Sequence, residues 1–369
     1  MRKTVIILIV LVLISTIAFY YNWSETNKSS RNEKNAQYLL YTSIYPIYEV
    51  ATKIAGNKGE IGLVVPNGTE AHSYEPPPRK IAELESADIF FYIGIGMEPW
   101  ADKAALILGE SDVKSIELSN YLDLINYKRD TEEGIDHDHN HALDHEYEDE
   151  IDDEHNHENV IESDQHHDDE IAGVQKHQNE VEFVNGNNHG DSEHGSYDPH
   201  VWLDPMNMKK IAEIIKDELV SLDPVNKDLY ISNYNSFSSE ISELDEEYKQ
   251  HLSDKSSDTI IVSHAAFGYL ARRYNFKQRA IAGLTSHEES TPGNIASLID
   301  FARDNNINYV FRETLVDNHA VRVIAEEAEL RVLTLNPFVG LTQEEQEEGE
   351  DYFSIMKKNL RNLEKALVK

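Results

Sequence analysis

Eleven histidines lie between His137 and His194 of this 369-residue chain, interleaved with acids. Imidazole is the commonest side-chain ligand for zinc, copper and nickel, so this density points to metal-ion chemistry. The run holds His137, His139, His141, His145, His155 and His157, then His166, His167, His177, His189 and His194. It has no Cys and few large apolar residues, and such a segment cannot bury enough surface to offset the entropy of ordering it. A weak, multi-ligand collector of ions is the expectation here, not a packed cage.

Three other histidines stand in different surroundings. His72 follows an apolar run and a turn, His200 precedes a helix signal, and His264 closes the apolar run Thr259-Ile260-Ile261-Val262-Ser263. Singly, each is more often a hydrogen-bonded structural residue. Together they share a placement at strand ends, where ligands bind in open α/β sheets, and three converging imidazoles would make a zinc-type site.

The elements that must position them alternate in βα fashion, the signature of mainly parallel sheets. Strands are expected at 38–43, 60–65, 89–93 and 113–118, with helices at 46–54, 79–85 and 100–108. Asp204-Pro205 starts a helix through Leu219, with Asp as N-cap and Pro at the first position. Asp223-Pro224 repeats that signal before Tyr230, Tyr234, Phe237, Ile241, Leu244 and Tyr248, a periodicity that predicts one long helix. Beyond it, strands at 259–264, 278–281, 309–311 and 331–335 alternate with helices at 265–274, 292–303, 318–328 and 352–368. The fold class is α/β: two lobes of parallel-sheet βα units joined by a long connecting helix. The expected divisions are 1–37, 38–222 (carrying the His- and acid-rich insertion 130–195), 223–253 for the linking helix, and 254–369.

A net charge of −35 excludes nucleic acid as a partner and favours cations. Much of it is local, since Lys176 is the only Lys or Arg between Glu132 and Glu193. Met1-Arg2-Lys3 before an apolar stretch from Val5 to Tyr21 marks an export signal, and Phe19-Tyr20-Tyr21 is a poor cleavage site. An exported body, at the cell surface or in the periplasm and held to the membrane by an uncleaved N-terminal segment, is expected. With no Cys in the sequence, a cysteine-borne lipid is excluded from that expectation.

Thr42-Ser43-Ile44-Tyr45-Pro46, Gly68-Thr69-Glu70-Ala71-His72-Ser73-Tyr74-Glu75-Pro76, Asp198-Pro199-His200-Val201-Trp202-Leu203-Asp204-Pro205, His264-Ala265-Ala266-Phe267-Gly268-Tyr269-Leu270 and Leu335-Asn336-Pro337 occur in this order. From about Tyr38 to Lys369 the chain resembles the metal-binding solute-binding proteins of zinc and manganese ABC transporters. The histidine-rich insertion resembles a feature of the zinc branch. The resemblance implies a monomer with metal between two lobes, delivered to an ABC permease. It also implies His72, His200 and His264 as ligands. Manganese-type members tend to carry a carboxylate at the third position, so His264 points to Zn2+ over Mn2+. The chain departs from the family at the fourth ligand: where zinc-type relatives often supply a carboxylate, it reads Leu335-Asn336-Pro337-Phe338-Val339-Gly340. Glu70, Glu75, water or a residue of the polar run remain open for that position. Glu288-Glu289 and Arg312-Glu313 are read as solvated or salt-bridged ahead of any role beside the metal. His251, His287 and His319 are read as surface residues, and Trp202 as a core anchor.

The leading reading is an extracytoplasmic protein that captures Zn2+ and hands it to a permease. A manganese-type transport binding protein, a surface zinc buffer or adhesin and, last, a zinc hydrolase are the alternatives. No His-Glu-x-x-His helix or nucleophile elbow supports a hydrolase, and no catalytic residue is assigned. If the polar run collects zinc for the cleft, deleting Asp136–His194 leaves one tight site and removes several weak ones in calorimetric titration. Unchanged stoichiometry would remove the collecting role.

Overall fold

The computed structural model describes residues 38–127, 197–285, 290–316 and 318–368. The N-terminal segment 1–37, the eleven histidines of the polar run, His287, Glu288 and Glu289 lie outside them. Among the described residues no helix is long and apolar enough to cross a membrane.

The first lobe runs β1 (Leu39–Thr42), α1 (Tyr45–Ala55), β2 (Glu60–Leu63), α2 (Pro78–Leu84), β3 (Ile89–Tyr92), α3 (Ala101–Gly109) and β4 (Lys114–Glu117). Its strands are parallel in the order β2-β1-β3-β4. Two helices follow, α4 (Pro205–Leu222) and α5 (Lys227–His251). The second lobe runs β5 (Thr259–His264), α6 (Gly268–Tyr274), β6 (Lys277–Ala282), α7 (Pro292–Asp304), β7 (Tyr309–Arg312), α8 (His319–Glu327), β8 (Arg331–Thr334), α9 (Gln343–Glu348) and α10 (Tyr352–Leu367). Its parallel order, β6-β5-β7-β8, repeats the first. In both sheets the order reverses beside the first strand, and the crevice at that switch point is where such sheets bind ligands.

Helix α4 starts as its residues dictate. Asp204 Oδ1 accepts from the Met206 amide at 2.8 Å and Pro205 takes the first helical position. The second Asp-Pro behaves differently: Pro224–Asn226 forms a 3-10 turn, and α5 begins a turn later at Lys227. Tyr230, Phe237, Ile241, Leu244 and Tyr248 are all buried along α5. At 25 residues this helix is about 37 Å long. Asn233 Nδ2 donates to Ile54 O of α1 at 2.9 Å, and Tyr248 OH donates to Met356 O of α10 at 2.7 Å, so one helix is tied to both lobes. A single hydrophobic cluster runs from Leu40 and Phe90 through Trp202 and Tyr248 to Tyr352 and Leu360. A smaller cluster, around Ile261, Leu298 and Val310, serves the second lobe alone.

Two further local features differ from the sequence reading. Ala265–Phe267, expected as the start of a helix, is a loop, and α6 begins at Gly268. Ala265 N donates to Gly283 O at 2.8 Å and Phe267 N to Gln278 Oε1 at 2.9 Å, so bonds to the neighbouring strand and its side chain override alanine's helix propensity. Helix α9 was not anticipated, although Thr342 and Glu345 form the reciprocal capping box that marks a helix start.

At the end of β3, Gly94, Ile95 and Gly96 all take positive φ, +81°, +47° and +86°. For a β-branched residue such as Ile95 that conformation is strained. Buried Glu98 holds the turn: its carboxylate accepts from Ile93 N at 3.2 Å, Gly94 N at 3.1 Å and Ser43 Oγ. Burial pushes the Glu98 carboxyl up from 4.5 to about 7 against the lowering effect of those donors. A folded value above the unfolded one gives stability that is full below about 4.5 and lost as pH rises through about 7, about 3 kcal/mol for this shift. Glu98→Gln is therefore expected to gain on the native chain between pH 5 and pH 8 in thermal unfolding. Parallel pH dependences of the two proteins would refute the assignment.

Candidate metal centre

Each of the three histidines is set by a carboxylate close to it. After β2 the chain turns through Gly68, at φ +78°, and Glu70 folds back over its own loop. Glu70 Oε1 accepts from His72 N, and Oε2 from Ser73 N and Ser73 Oγ, each at 3.1 Å. Asp198 Oδ1 accepts from His200 N at 2.9 Å and also lies 2.9 Å from His200 Nδ1. His264 is the last residue of β5, and Glu313 follows the last residue of β7. The β5–β7 register pairs Val262 with Phe311, which brings the two residues side by side two positions on. Glu313 Oε1 lies 2.5 Å from His264 Nδ1 and also accepts from Ser263 Oγ.

The loop of His200 is anchored through Trp202, which is fully buried. Trp202 Nε1 donates to Pro337 O at 2.7 Å, and Tyr352 OH donates to Trp202 O at 3.0 Å. From α6, Tyr269 OH donates to Asp198 O at 2.9 Å and accepts from Ile125 N at 3.1 Å.

With Nδ1 of His200 and His264 held by carboxylates, Nε2 is the atom each ring turns inward. His72 Nε2 lies 3.1 Å from His200 Nε2, and His264 Nε2 lies 3.3 Å from His200 Nε2. Tetrahedral zinc with Zn–N bonds of 2.0–2.1 Å has ligand-to-ligand edges of about 3.3 Å. Among the described residues these three form the group whose ligand atoms lie within 4.8 Å of one another. They are 9%, 1% and 4% exposed, in the order His72, His200, His264. The cavity they line is about 10 Å³, and Glu70, Glu313, Thr314, Leu315, Val316, Asn336, Pro337 and Val339 supply its other walls.

Burial holds His200 well below its ordinary value, and neighbouring His264 adds to the effect. Burial would depress His264 too, but the charge and hydrogen bond of Glu313 outweigh it and raise its pKa. Burial pushes the Asp198 carboxyl up to about 7 although His200 N donates to it. A cation among the rings reinforces the neutral form of His200 and reverses the balance for His264 and Asp198, because it binds the neutral ring and favours the ionised acid beside it. The chemistry offered is three-nitrogen coordination of a borderline-soft dication.

Of the other sequence candidates, Glu70 lines the cavity; Glu75 is exposed and is not part of its lining. Val339 lines it without a donor atom, next to Phe338 at φ +56°. Arg312, His251 and His319 are exposed, with His251 3.5 Å from Glu364. Glu313, read as solvated or salt-bridged ahead of a place beside the metal, is not solvated: it is 2% exposed and its ion-pair partner is His264 itself. Asp198 was quoted only as part of a motif, and its place two residues before His200 was the available signal.

A profile described as "ZnuA: Zinc-uptake complex component A periplasmic" matches residues 40–366. The chain belongs to the ZnuA family. The zinc-binding protein AdcA of Streptococcus pyogenes serotype M3 is 29% identical over 355 residues, 96% of this chain and 60% of that protein. The chain thus spans about three fifths of that relative's length. The high-affinity zinc uptake system protein ZnuA of Bacillus subtilis is 29% identical over 345 residues, covering 94% and 92% of the two chains. Among solved structures, the Zn(II)-bound ZnuA-like domain of Streptococcus pneumoniae AdcA superposes with a TM-score of 0.65 at 26% identity, covering 90% of this chain and 99% of that one. Two parallel-sheet lobes are therefore the family's fold as well as this chain's.

Glu313→Gln keeps the side-chain shape and removes the charge. Zinc affinity at pH 7.5 is expected to fall by about 10- to 100-fold, as for other carboxylates that orient a metal-bound imidazole. Because Glu313 raises the His264 pKa, the pH at which zinc affinity begins to fall from its own high-pH plateau should move down in the variant. Chelator competition across pH 5–8 measures both, and an upward move would contradict the pairing.

Proposed function

We propose that this chain captures Zn2+ through Nε2 of His72, His200 and His264 and delivers it to the permease of an ABC transporter. The observation that carries the reading is the convergence of three buried Nε2 atoms at 3.1 and 3.3 Å, with two of the rings fixed from behind by carboxylates. Lone pairs at that spacing repel unless a proton or a cation lies between them. A set of three nitrogens favours zinc over manganese, which prefers oxygen ligands. The family match and the two zinc-named relatives support the same cargo.

The site serves as a carrier and not as a hydrolase. Glu313 and Asp198, the acids nearest the rings, are engaged with imidazole nitrogens, and a cavity of about 10 Å³ has no room for an organic substrate beside the ion. The acidic chain works outside the cytoplasm, attached to the membrane through the N-terminal segment, as a monomer; the polar run feeds zinc to the cleft. The name zinc-binding lipoprotein, borne by the Streptococcus pneumoniae relative, supports attachment at a membrane surface.

Zinc titration against a chelating dye, which competes out weak sites, is expected to find one tight ion per chain. His72→Ala, His200→Ala and His264→Ala should each weaken it by more than about 100-fold, since losing a partner behind a ligand already costs about 10- to 100-fold and here the ligand itself is lost. Tight stoichiometric zinc persisting in the triple variant would overturn the assignment.

A further inference from the structure

We infer that the amino-terminal end of the first sheet is a face that rests on the lipid bilayer: the last turn of α3 and the α4–α5 turn contact the membrane interface, and the histidine cavity is turned away from it. The inference rests on the membrane attachment proposed above and adds to it an orientation and the residues that set it.

The four strands of the first sheet are parallel, so their amino ends lie together. Glu60 N donates to Tyr38 O at 3.0 Å, Asp88 N to Leu39 O at 2.8 Å and Lys114 N to Asp88 O at 3.2 Å, which sets those ends side by side. Helix α3 runs back toward them to deliver the chain to β4, so its last turn, with Leu106 and Ile107, sits at this end. Lys114, the first residue of β4, pairs at 2.5 Å with Glu218 in the last turn of α4, which ends at Leu222. Just beyond, Tyr230 OH donates to Asp223 Oδ2 at 2.5 Å, and the Tyr230 ring meets Tyr38 edge-on with centroids 6.4 Å apart. The Pro224–Asn226 turn is thus linked through Tyr230 to Tyr38, the first described residue.

Val225 is 88% exposed, Leu106 78%, Ile107 40% and Leu222 37%. Scattered singly, such side chains are ordinary; these are four of the seven large hydrophobics exposed among the described residues, gathered in two turns at one end. The chain that leads here names the occupant. The apolar stretch from Val5 to Tyr21 is joined to Tyr38 through residues 22–37, most of them polar. A body attached through that stretch holds this end at high effective concentration against the bilayer, where exposed aliphatic side chains gain burial in the interface. Charge adds no pull of its own, because Lys103 and Lys227 stand among Glu110, Asp112 and Asp228, all exposed. The contact is therefore apolar, and zwitterionic lipid suffices. His72 follows β2 at the opposite end of the sheet, so in this posture the cavity faces the side from which ions arrive. At about 3.3–3.6 Å per residue the polar span reaches at most about 55 Å, longer than α5, and allows the body to turn its cavity toward a permease.

The sequence has no Cys, so a single introduced cysteine is labelled cleanly. The full chain is reconstituted in phosphatidylcholine vesicles that carry a nitroxide on the acyl chain. A fluorophore is placed at Ser221→Cys, beside the α4–α5 turn, or at Tyr121→Cys, past the carboxyl end of β4; both positions are exposed. Quenching by the lipid nitroxide is expected to be at least about threefold stronger for the Ser221→Cys label, as burial of the turn by about 5–10 Å requires, and to persist in high salt. Leu222→Asp combined with Val225→Asp should lower it to the level of the Tyr121→Cys label. Zinc stoichiometry and unfolding temperature should stay native in that variant, because both side chains are exposed and neither lines the metal cavity. Equal quenching at the two positions, or quenching that survives the double substitution, overturns the inference. Vesicle flotation separates it from the reading beneath it. A chain that floats but quenches equally at both labels is attached without this orientation, whereas one that does not float removes attachment and orientation together.

Discussion

Three imidazole nitrogens held about as far apart as the edges of a zinc tetrahedron, in surroundings nearly free of water, form an arrangement that a protein does not keep without cause. Lone pairs at 3.1 and 3.3 Å repel, and burial removes the solvent that would screen them. The frame must therefore supply the rigidity, because the rings themselves gain nothing from meeting. Each ring is fixed from its own loop: the Glu70 turn holds the His72 backbone, Asp198 holds His200 at both N and Nδ1, and Glu313 reaches His264 across the sheet. A bound dication replaces these local costs with metal–nitrogen bonds and charge-pair gains, and relieves the repulsion between the lone pairs.

The frame carries that strain through a core common to both lobes. Trp202, two residues past His200, donates to Pro337 on the second lobe and accepts at its carbonyl from Tyr352 of α10. Glu49 of α1 accepts from the Tyr352 amide at 3.1 Å, and Lys53 meets Asp351 at 3.0 Å. Arg273, at the end of the helix that follows His264, lies 2.6 Å from Asp245 of α5 and 3.3 Å from Asp204, the cap of α4. Ties of this kind, behind the His200 and His264 loops, set the distance between those two rings more firmly than a flexible pair of linking strands could. Buried ion pairs add little net stability, but they penalise alternative arrangements.

Much of the fold was legible because the signals were local. Apolar runs of four to six residues between helix caps mark strands, and the steps from Tyr230 to Tyr248 mark a helix whatever it packs against. The three ligand candidates were legible from motif context. The partners that fix them were less so, because pairing across a sheet depends on strand order. Nothing near Glu313 in sequence points to His264, forty-nine positions earlier; only the β5–β7 neighbourhood does. Ala265-Ala266 failed in the opposite sense. Its local propensity is helical, and the bonds to Gly283 and Gln278 that prevent the helix are tertiary.

A three-histidine zinc with an open position is also what a hydrolytic enzyme uses, so the difference between holding and reacting has to lie in the surroundings. Catalysis at such a zinc needs an ionised water, a base or acid free to move its proton, and room for a substrate. Here the acids at the rings are committed to imidazole nitrogens, Glu70 is committed to its own turn, and the walls of Leu315, Val316 and Val339 close around a space of about 10 Å³. Carboxylate charge near the ion also works against forming hydroxide on it. The features that would make the site a poor enzyme suit the proposed carrier: they shield the ion from reactants and leave its grip dependent on three rings drawn from three separate loops. Moving any one loop then weakens that grip, so release needs only a local change while capture needs all three loops in place.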